Sequence, residues 1–381
     1  MEAYRTSRHL DKWGGFLATK RDKTPLTIHP TPVIRGDPHL VSEPVVDADE
    51  GIRAPLPKRA RAQRTTPKAP ETRAFPPPAA PSWARASGRA GQGDPLFAAG
   101  ASLALLDAVL RRDPPFAGAF RQRLVLMSAA ASAKILRVNA DAAALRDLRF
   151  AVSDALGPAA KLLSLWRDLA GRPSGFHADR LATVAARLDL ALPDPNGLAS
   201  SLKDCAGEGD PVSAAGKTAA LVFSVFPDAP AAEAEILALW VFDLALAIRL
   251  RWARPLPLIA TQVLNPALRS PGVGRRPRPG EPAWERPAAA AVALAAASAL
   301  DLAADLSRRS EALLVVAPKL RAKPAAKVVD LVLAEDCVSP AEAARHAPMT
   351  GRAARRLFDR LVLLGAAREF SGRPTFRLYG L

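Results

Sequence analysis

Arginine is the residue type whose spacing in this chain could do chemistry. Arg352, Arg355, Arg356 and Arg360 recur within nine residues near the C-terminus. Laid on a helix at ~100° per residue, they fall with Asp359 on one side, between about 300° and 80° from Arg352. Ala353, Ala354, Leu357, Phe358, Leu361 and Leu364 fall on the other, and only Leu363 breaks the division. Guanidinium groups on one helical face can bind phosphates or read guanine O6 and N7 bidentately. Release of condensed counterions makes such contacts favourable and salt-sensitive. Arg368, Arg373 and Arg377 follow, and Thr350 precedes the group as a helix cap able to bond a phosphate. Residues 345–377 contain eight Arg against Asp359 and Glu369 alone, a net charge of +6.

The elements that must position these side chains can be read from local signals. Lys327–Ala334 is an apolar helix ended by Glu335 and Asp336. Ser339 caps a short helix starting at Pro340, with Glu342 three residues on as a capping-box partner, and Pro348 stops it. Thr350 caps the arginine helix, Gly351–Gly365, with Gly365 as its C′ stop. Two strand-like pieces, Ala367–Phe370 and Thr375–Tyr379, flank the turn Ser371-Gly372-Arg373-Pro374. Helix, short helix, longer helix and terminal hairpin is the order of a winged helix-turn-helix, whose third helix lies in the major groove. The bland alternatives are specific. Arg355 and Asp359, at i,i+4, can pair on a solvated face, and winged helices also dock other proteins.

Other chemistries find less support. Gly216-Lys217-Thr218 is a fragment of a phosphate-binding loop, but the first glycine of that motif is replaced by Pro211 and no strand precedes it. The loop RSPGVGRRPRPG offers Arg269, Arg275, Arg276 and Arg278 to phosphates, though a solvated interhelical linker is the better reading. Cys205 and Cys337 lie far apart without a C-x-x-C, and His9, His29, His39, His177 and His346 are scattered. No carboxylate pair and no Ser/His/Asp or Cys/His set emerges from spacing. A non-enzymatic protein without cofactor or metal is expected.

The chain as a whole frames this segment. Its 381 residues carry 53 Lys+Arg against 37 Asp+Glu, net +16, with 49% apolar residues and 36 prolines. Residues 1–95 hold net +6 and 14 of the prolines, without helical or strand period, and read as a disordered basic tail. Lys58, Arg59, Arg61, Arg64 and Lys68 cluster there, as a nucleic-acid-binding arm or, more simply, a solvated linker. Residues 96–317 are nearly balanced and read as an all-α domain of eight to ten helices, several rich in Ala and Leu. The expected helices are Phe97–Arg112, Phe116–Leu136, Ala142–Val152, Pro158–Ala170, Asp179–Leu192, Leu198–Ala206, Gly216–Phe226, Ala231–Arg254 and Pro287–Leu314. Residues 324–381 form the third division. The opening MEAYRTSRHLDKWGG lacks a signal-peptide core, and the apolar run Ile236–Leu250 is 15 residues long against ~20 for a bilayer span. A cytoplasmic protein is expected, nucleoid-associated if it binds DNA.

Two segments carry a resemblance. ARRLFDRLVLLGAAREFSGRPTFRLYGL (Ala354–Leu381) and FAAGASLALLDAVLRRDPPFAGAFRQRLVL (Phe97–Leu126) resemble an alphaproteobacterial family of uncharacterised proteins, domain-of-unknown-function family 1403. The resemblance runs from about Pro81 to Leu381. The C-terminal part is also similar to helix-turn-helix modules appended to Fic-type proteins, but the Fic signature, His-Pro-Phe before a glycine-rich anion loop, is missing. The resemblance implies a helical architecture and no particular activity. The leading expectation is therefore a winged-helix DNA-binding protein, with a helical domain for dimerisation or partner contact. The alternative is a helical adaptor whose winged helix meets another protein.

Overall fold

The computed structural model of the protein describes residues 77–78, 81, 93–150, 157–269, 274–320, 324–372 and 376–381. By its contacts the chain divides at Lys68, and Ala69–Leu381 form one unit. The basic cluster Lys58–Lys68 and Arg373 lie outside the described residues. So does the end of the helix expected to reach Val152.

The described residues are mainly α-helical, in thirteen α-helices. The first eight are α1 (Pro95–Leu110), α2 (Ala117–Ile135), α3 (Ala142–Leu148), α4 (Pro158–Gly171), α5 (Ala178–Arg187), α6 (Pro195–Ala206), α7 (Pro211–Ser224) and α8 (Ala231–Arg249). The short α9 (Ile259–Gln262) and the long α10 (Glu285–Val316) complete the body. Then come α11 (Ala325–Ala334), α12 (Pro340–His346) and α13 (Gly351–Leu363), with two short strands, β1 (Arg368–Glu369) and β2 (Tyr379–Gly380). Helix starts follow side-chain chemistry. Asp94, Asp141, Asp194 and Asp210 each accept a backbone N–H of the first turn that the helix cannot satisfy itself. Proline at the start of α1, α4, α6 and α7 adds a preset φ where its missing N–H costs nothing.

Helix α8 is the axis of the body, buried at every position from Ala234 to Ala247. It packs on α7, α9 and α4, while α1 lies along α10 and α2 along α4. Several polar groups inside this core are matched, although Ser102 Oγ and Trp284 Nε1 are buried without a partner among the described residues. Trp166 Nε1 donates to Ser132 Oγ at 2.9 Å, and Trp240 Nε1 to the Leu165 carbonyl at 3.1 Å. Asp243, fully enclosed in α8, accepts from the Leu258 and Ile259 amides at 2.8 and 3.1 Å and so starts α9. Burial drives the Asp243 pKa well above the usual carboxylate range, against the pull of those two amides. Helix α9 has no local cap of its own, and no expectation from sequence covered it.

Helix α10 and the turn after it, Glu285–Lys319, are long and apolar enough to cross a membrane by length and composition, and 56% of the most apolar window is buried inside the protein. Its alanines pack against α1, α7 and α9. Close approach also joins the C-terminal segment to the body. A Cβ on Gly118 of α2 would fall 2.6 Å from the Ala334 Cα of α11, so only glycine allows that crossing.

Candidate nucleic-acid interface

Helix α13 is built as its wheel predicts along most of its length. Thr350 Oγ1 accepts the Ala353 amide at 3.2 Å, and Gly365 sits at φ 66° just past the end. The Gly365 and Ala366 amides close back on Val362 and Leu361. Ala354, Leu357, Phe358 and Leu361 are buried, and Phe358 stacks on Tyr379 of β2 at 4.5 Å between ring centroids. Two members of the expected apolar face differ. Ala353 is exposed because it belongs to the overhanging first turn, and Leu364 because it lies beyond the last helical residue.

Arg352, Arg355, Arg356 and Arg360 are exposed, and none forms an ion pair among the described residues. The i,i+4 pair of Arg355 with Asp359 is absent there. Asp359 instead meets Arg377 at 3.5 Å, and Arg377 also lies 3.9 Å from Glu369. Arg368 turns towards Asp305 of α10, at 3.8 Å. Desolvation, followed by the neighbouring Arg309, lowers its pKa. The structure thus brings Thr350 and four arginines onto one exposed helix, and directs Arg368 to Asp305 and Arg377 to Asp359 and Glu369. Arg345, on α12, is exposed and unpaired among the described residues too.

The expected hairpin is shorter than its pattern. Arg368 pairs with Gly380 and Glu369 with Tyr379, antiparallel, and Phe370 adds one bond to Leu378. Val338, between α11 and α12, bridges Tyr379 from the other side with bonds of 2.7 and 2.9 Å. A third piece of extended chain thus ties the first helices of the segment to its end.

What spacing could not reveal is the inner side of this segment. Asp336 is held by Arg123 of α2 and by Arg146 of α3, the latter at 2.6 Å. Arg149 reaches Glu335 at 3.1 Å, Glu342 at 2.7 Å and the Cys337 carbonyl. Arg167 of α4 adds a 3.4 Å contact to Glu335. The Arg123 and Arg146 guanidiniums also lie 5.3 and 4.6 Å from the Phe370 ring centroid. Glu342, expected to complete a capping box, has its carboxylate taken by Arg149, while Ser339 Oγ still accepts the Glu342 amide at 3.1 Å. Beneath this layer the Cys337 thiol is pushed up to about 12, by burial first and Asp336 second. It is a poor nucleophile there.

The rival sites are absorbed by the fold. Gly216-Lys217-Thr218 lies inside α7, where Thr218 Oγ1 donates to the Ala215 carbonyl at 2.8 Å. Arg275 pairs with Glu281 at 2.9 Å, and Arg276 and Arg278 both serve the buried Glu235. His177 is exposed at the start of α5. Among the described residues no group of three or more His, Cys, Asp or Glu is placed to hold a metal ion.

In comparisons with known proteins, no curated protein matches the chain. A family model described as "Protein of unknown function (DUF1403)" matches residues 69–381. That span covers the helical body and the whole C-terminal segment, and the chain belongs to this family.

Proposed function

We propose that the protein is a non-enzymatic, winged-helix DNA-binding protein whose body, α1–α10, supplies a dimer or partner surface. Duplex DNA would meet α13, its major groove taking Arg352, Arg355, Arg356 and Arg360. The observation that carries this reading is the sorting of charge in residues 324–381. Glu335, Asp336 and Glu342 are bound by arginines of the body, while the four arginines of α13 stand exposed and unpaired among the described residues. A face of that kind has guanidiniums ready for phosphates and base edges and little nearby negative charge to repel them. The Val338–Tyr379 bridge supports the winged-helix geometry, since it fastens the hairpin to the chain between the first two helices.

Binding of fluorescent duplex DNA, measured by anisotropy over a salt series, tests this. The triple variant Arg352→Ala, Arg356→Ala, Arg360→Ala should bind far more weakly and with a flatter salt dependence. Equal binding by the variant and the parent rejects the assignment. The adaptor reading rests on a different observation. Val362, Leu363 and Leu364 at the end of α13 are 38%, 85% and 46% exposed, an apolar patch that DNA does not require. Failure to bind DNA at low salt, with a stable co-purifying protein that no longer co-purifies with Leu363→Asp, would favour it.

A further inference from the structure

Away from α13, two clefts open along α1, the larger over its whole length. The larger, about 500 Å³, lies between α1, the start of α7 and the end of α8, with Leu103, Val212 and Leu250 among its walls. The smaller, about 200 Å³, reaches α10 at Ala288 and Ala289. Leu96 and Val212 line both. The larger volume is that of a small-molecule site.

Two glycines mark the clefts. Gly100 stands inside α1 and lines the larger; Gly216 stands inside α7 and lines the smaller. Glycine in a helix interior is destabilising relative to alanine, and proteins keep it there where a neighbour approaches too closely for a Cβ. Among the described residues no such neighbour exists, for a Cβ built on either residue has nothing within 4 Å. Their missing side chains leave room in the clefts.

The chemistry at the far end of the larger cleft is cationic. Both acids here are hydrogen-bonded and Asp210 keeps its negative charge, but Arg111, Arg249 and Arg251 outnumber Asp107 and Asp210. Asp107 is bound by Arg111 at 2.7 Å and by Trp252 Nε1 at 2.9 Å, and Asp210 by the Val212 and Ser213 amides. Among the described residues the Arg249 guanidinium donates to the carbonyls of Gly207 and Gly209 and to no acid. Arg251 is exposed, forms no ion pair among the described residues, and sits at φ 56°, a conformation that favours glycine. Two guanidinium charges without a counter-ion among the described residues therefore stand at the end of an aliphatic trough.

We infer that this cleft binds a small amphipathic carboxylate, its acid group at Arg249 and Arg251 and its apolar chain along Leu103, Leu96 and Val212 beside Gly100. This site is independent of DNA contact through α13. Octanoate is a suitable probe, followed by calorimetry on the full chain, with 1-octanol as the uncharged control. Octanoate should bind in the millimolar range expected for about ten heavy atoms, and octanol more weakly. Gly100→Leu fills the trough with a better helix former, so that variant should melt no lower than the parent yet bind octanoate at least tenfold more weakly. Arg251→Ala should remove the preference for octanoate over octanol. The inference is overturned if the parent binds no octanoate. It is equally overturned if both variants bind it as the parent does, or if octanol binds as well as octanoate.

Discussion

Residues 324–381 present arginine chemistry in two opposite situations. Where the segment meets α2, α3 and α4, Asp336, Glu335 and Glu342 are enclosed by Arg123, Arg146, Arg149 and Arg167, with side-chain exposures of 8% for Asp336 and 16% for Arg123 and Arg146. On the surface of α13 the guanidiniums of Arg352, Arg355, Arg356 and Arg360 are exposed and form no ion pair among the described residues. The same group is structural in the first place and available in the second. What separates the two is burial, because a pair removed from water loses heavily when one partner goes, whereas a solvated charge is almost neutral to stability.

The comparison breaks most visibly at Asp336. Asp336→Ala leaves Arg123 and Arg146 without their acid, and should cost about 3–5 kcal/mol of stability, seen as a large fall in melting temperature. A change within 1 kcal/mol would mean the inner layer is not the tether it resembles. The outer face should respond in binding instead of stability. The Arg352, Arg356, Arg360 triple variant should shift stability by less than about 0.5 kcal/mol per site. Its log–log salt slope for DNA should flatten by roughly 2–3, at ~0.9 for each phosphate left without its guanidinium.

Asp243 sharpens the inner half, since it is a buried carboxylate held by amides instead of guanidiniums. Its raised pKa means the folded chain holds a proton that the unfolded chain gives up near pH 4. The stability Asp243 contributes is therefore complete below that pH and falls away as pH rises through its folded pKa. Melting temperatures of the parent and Asp243→Asn from pH 4 to 8 should diverge, the parent falling relative to the variant; parallel curves would refute this. The smallest effect belongs to the half-exposed Asp359–Arg377 contact. Asp359→Ala should change stability by less than about 0.5 kcal/mol and tighten DNA binding slightly by removing the one acid on α13, as a titration at low salt would register.

Legibility in the sequence followed the range of the interactions. Helix limits were readable because their causes are local: Asp141, Ser339 and Thr350 cap within three residues, Gly365 terminates α13, and proline begins α4. Helix α7 starts at Pro211, earlier than the expected Gly216, because Asp210 and Pro211 supply a cap and an N1 proline. Two features were illegible in principle. Helix α9 owes its start to Asp243, 15 residues away on another helix, and the Arg123–Asp336 contact spans 213 residues. The basic face of α13 was visible because helical periodicity alone generates it. That Arg368 turns to an acid required the tertiary structure, because Asp305 comes from α10, while Arg377 meets Asp359 only once the end of the chain folds back on α13.

The grip of Arg149 on Glu335, the Cys337 carbonyl and Glu342 bears on modularity. One guanidinium from α3's end spans the joint between α11 and α12, so part of the C-terminal segment's own turn is stored in the body's sequence. Residues 324–381 cut free of the body would carry three bare carboxylates and a loosened joint. Grafted onto another protein, they would need a host surface with arginines in the same places. Divergence in this family should then leave its trace as paired changes: a substitution at Glu335, Asp336 or Glu342 matched by one at Arg123, Arg146, Arg149 or Arg167.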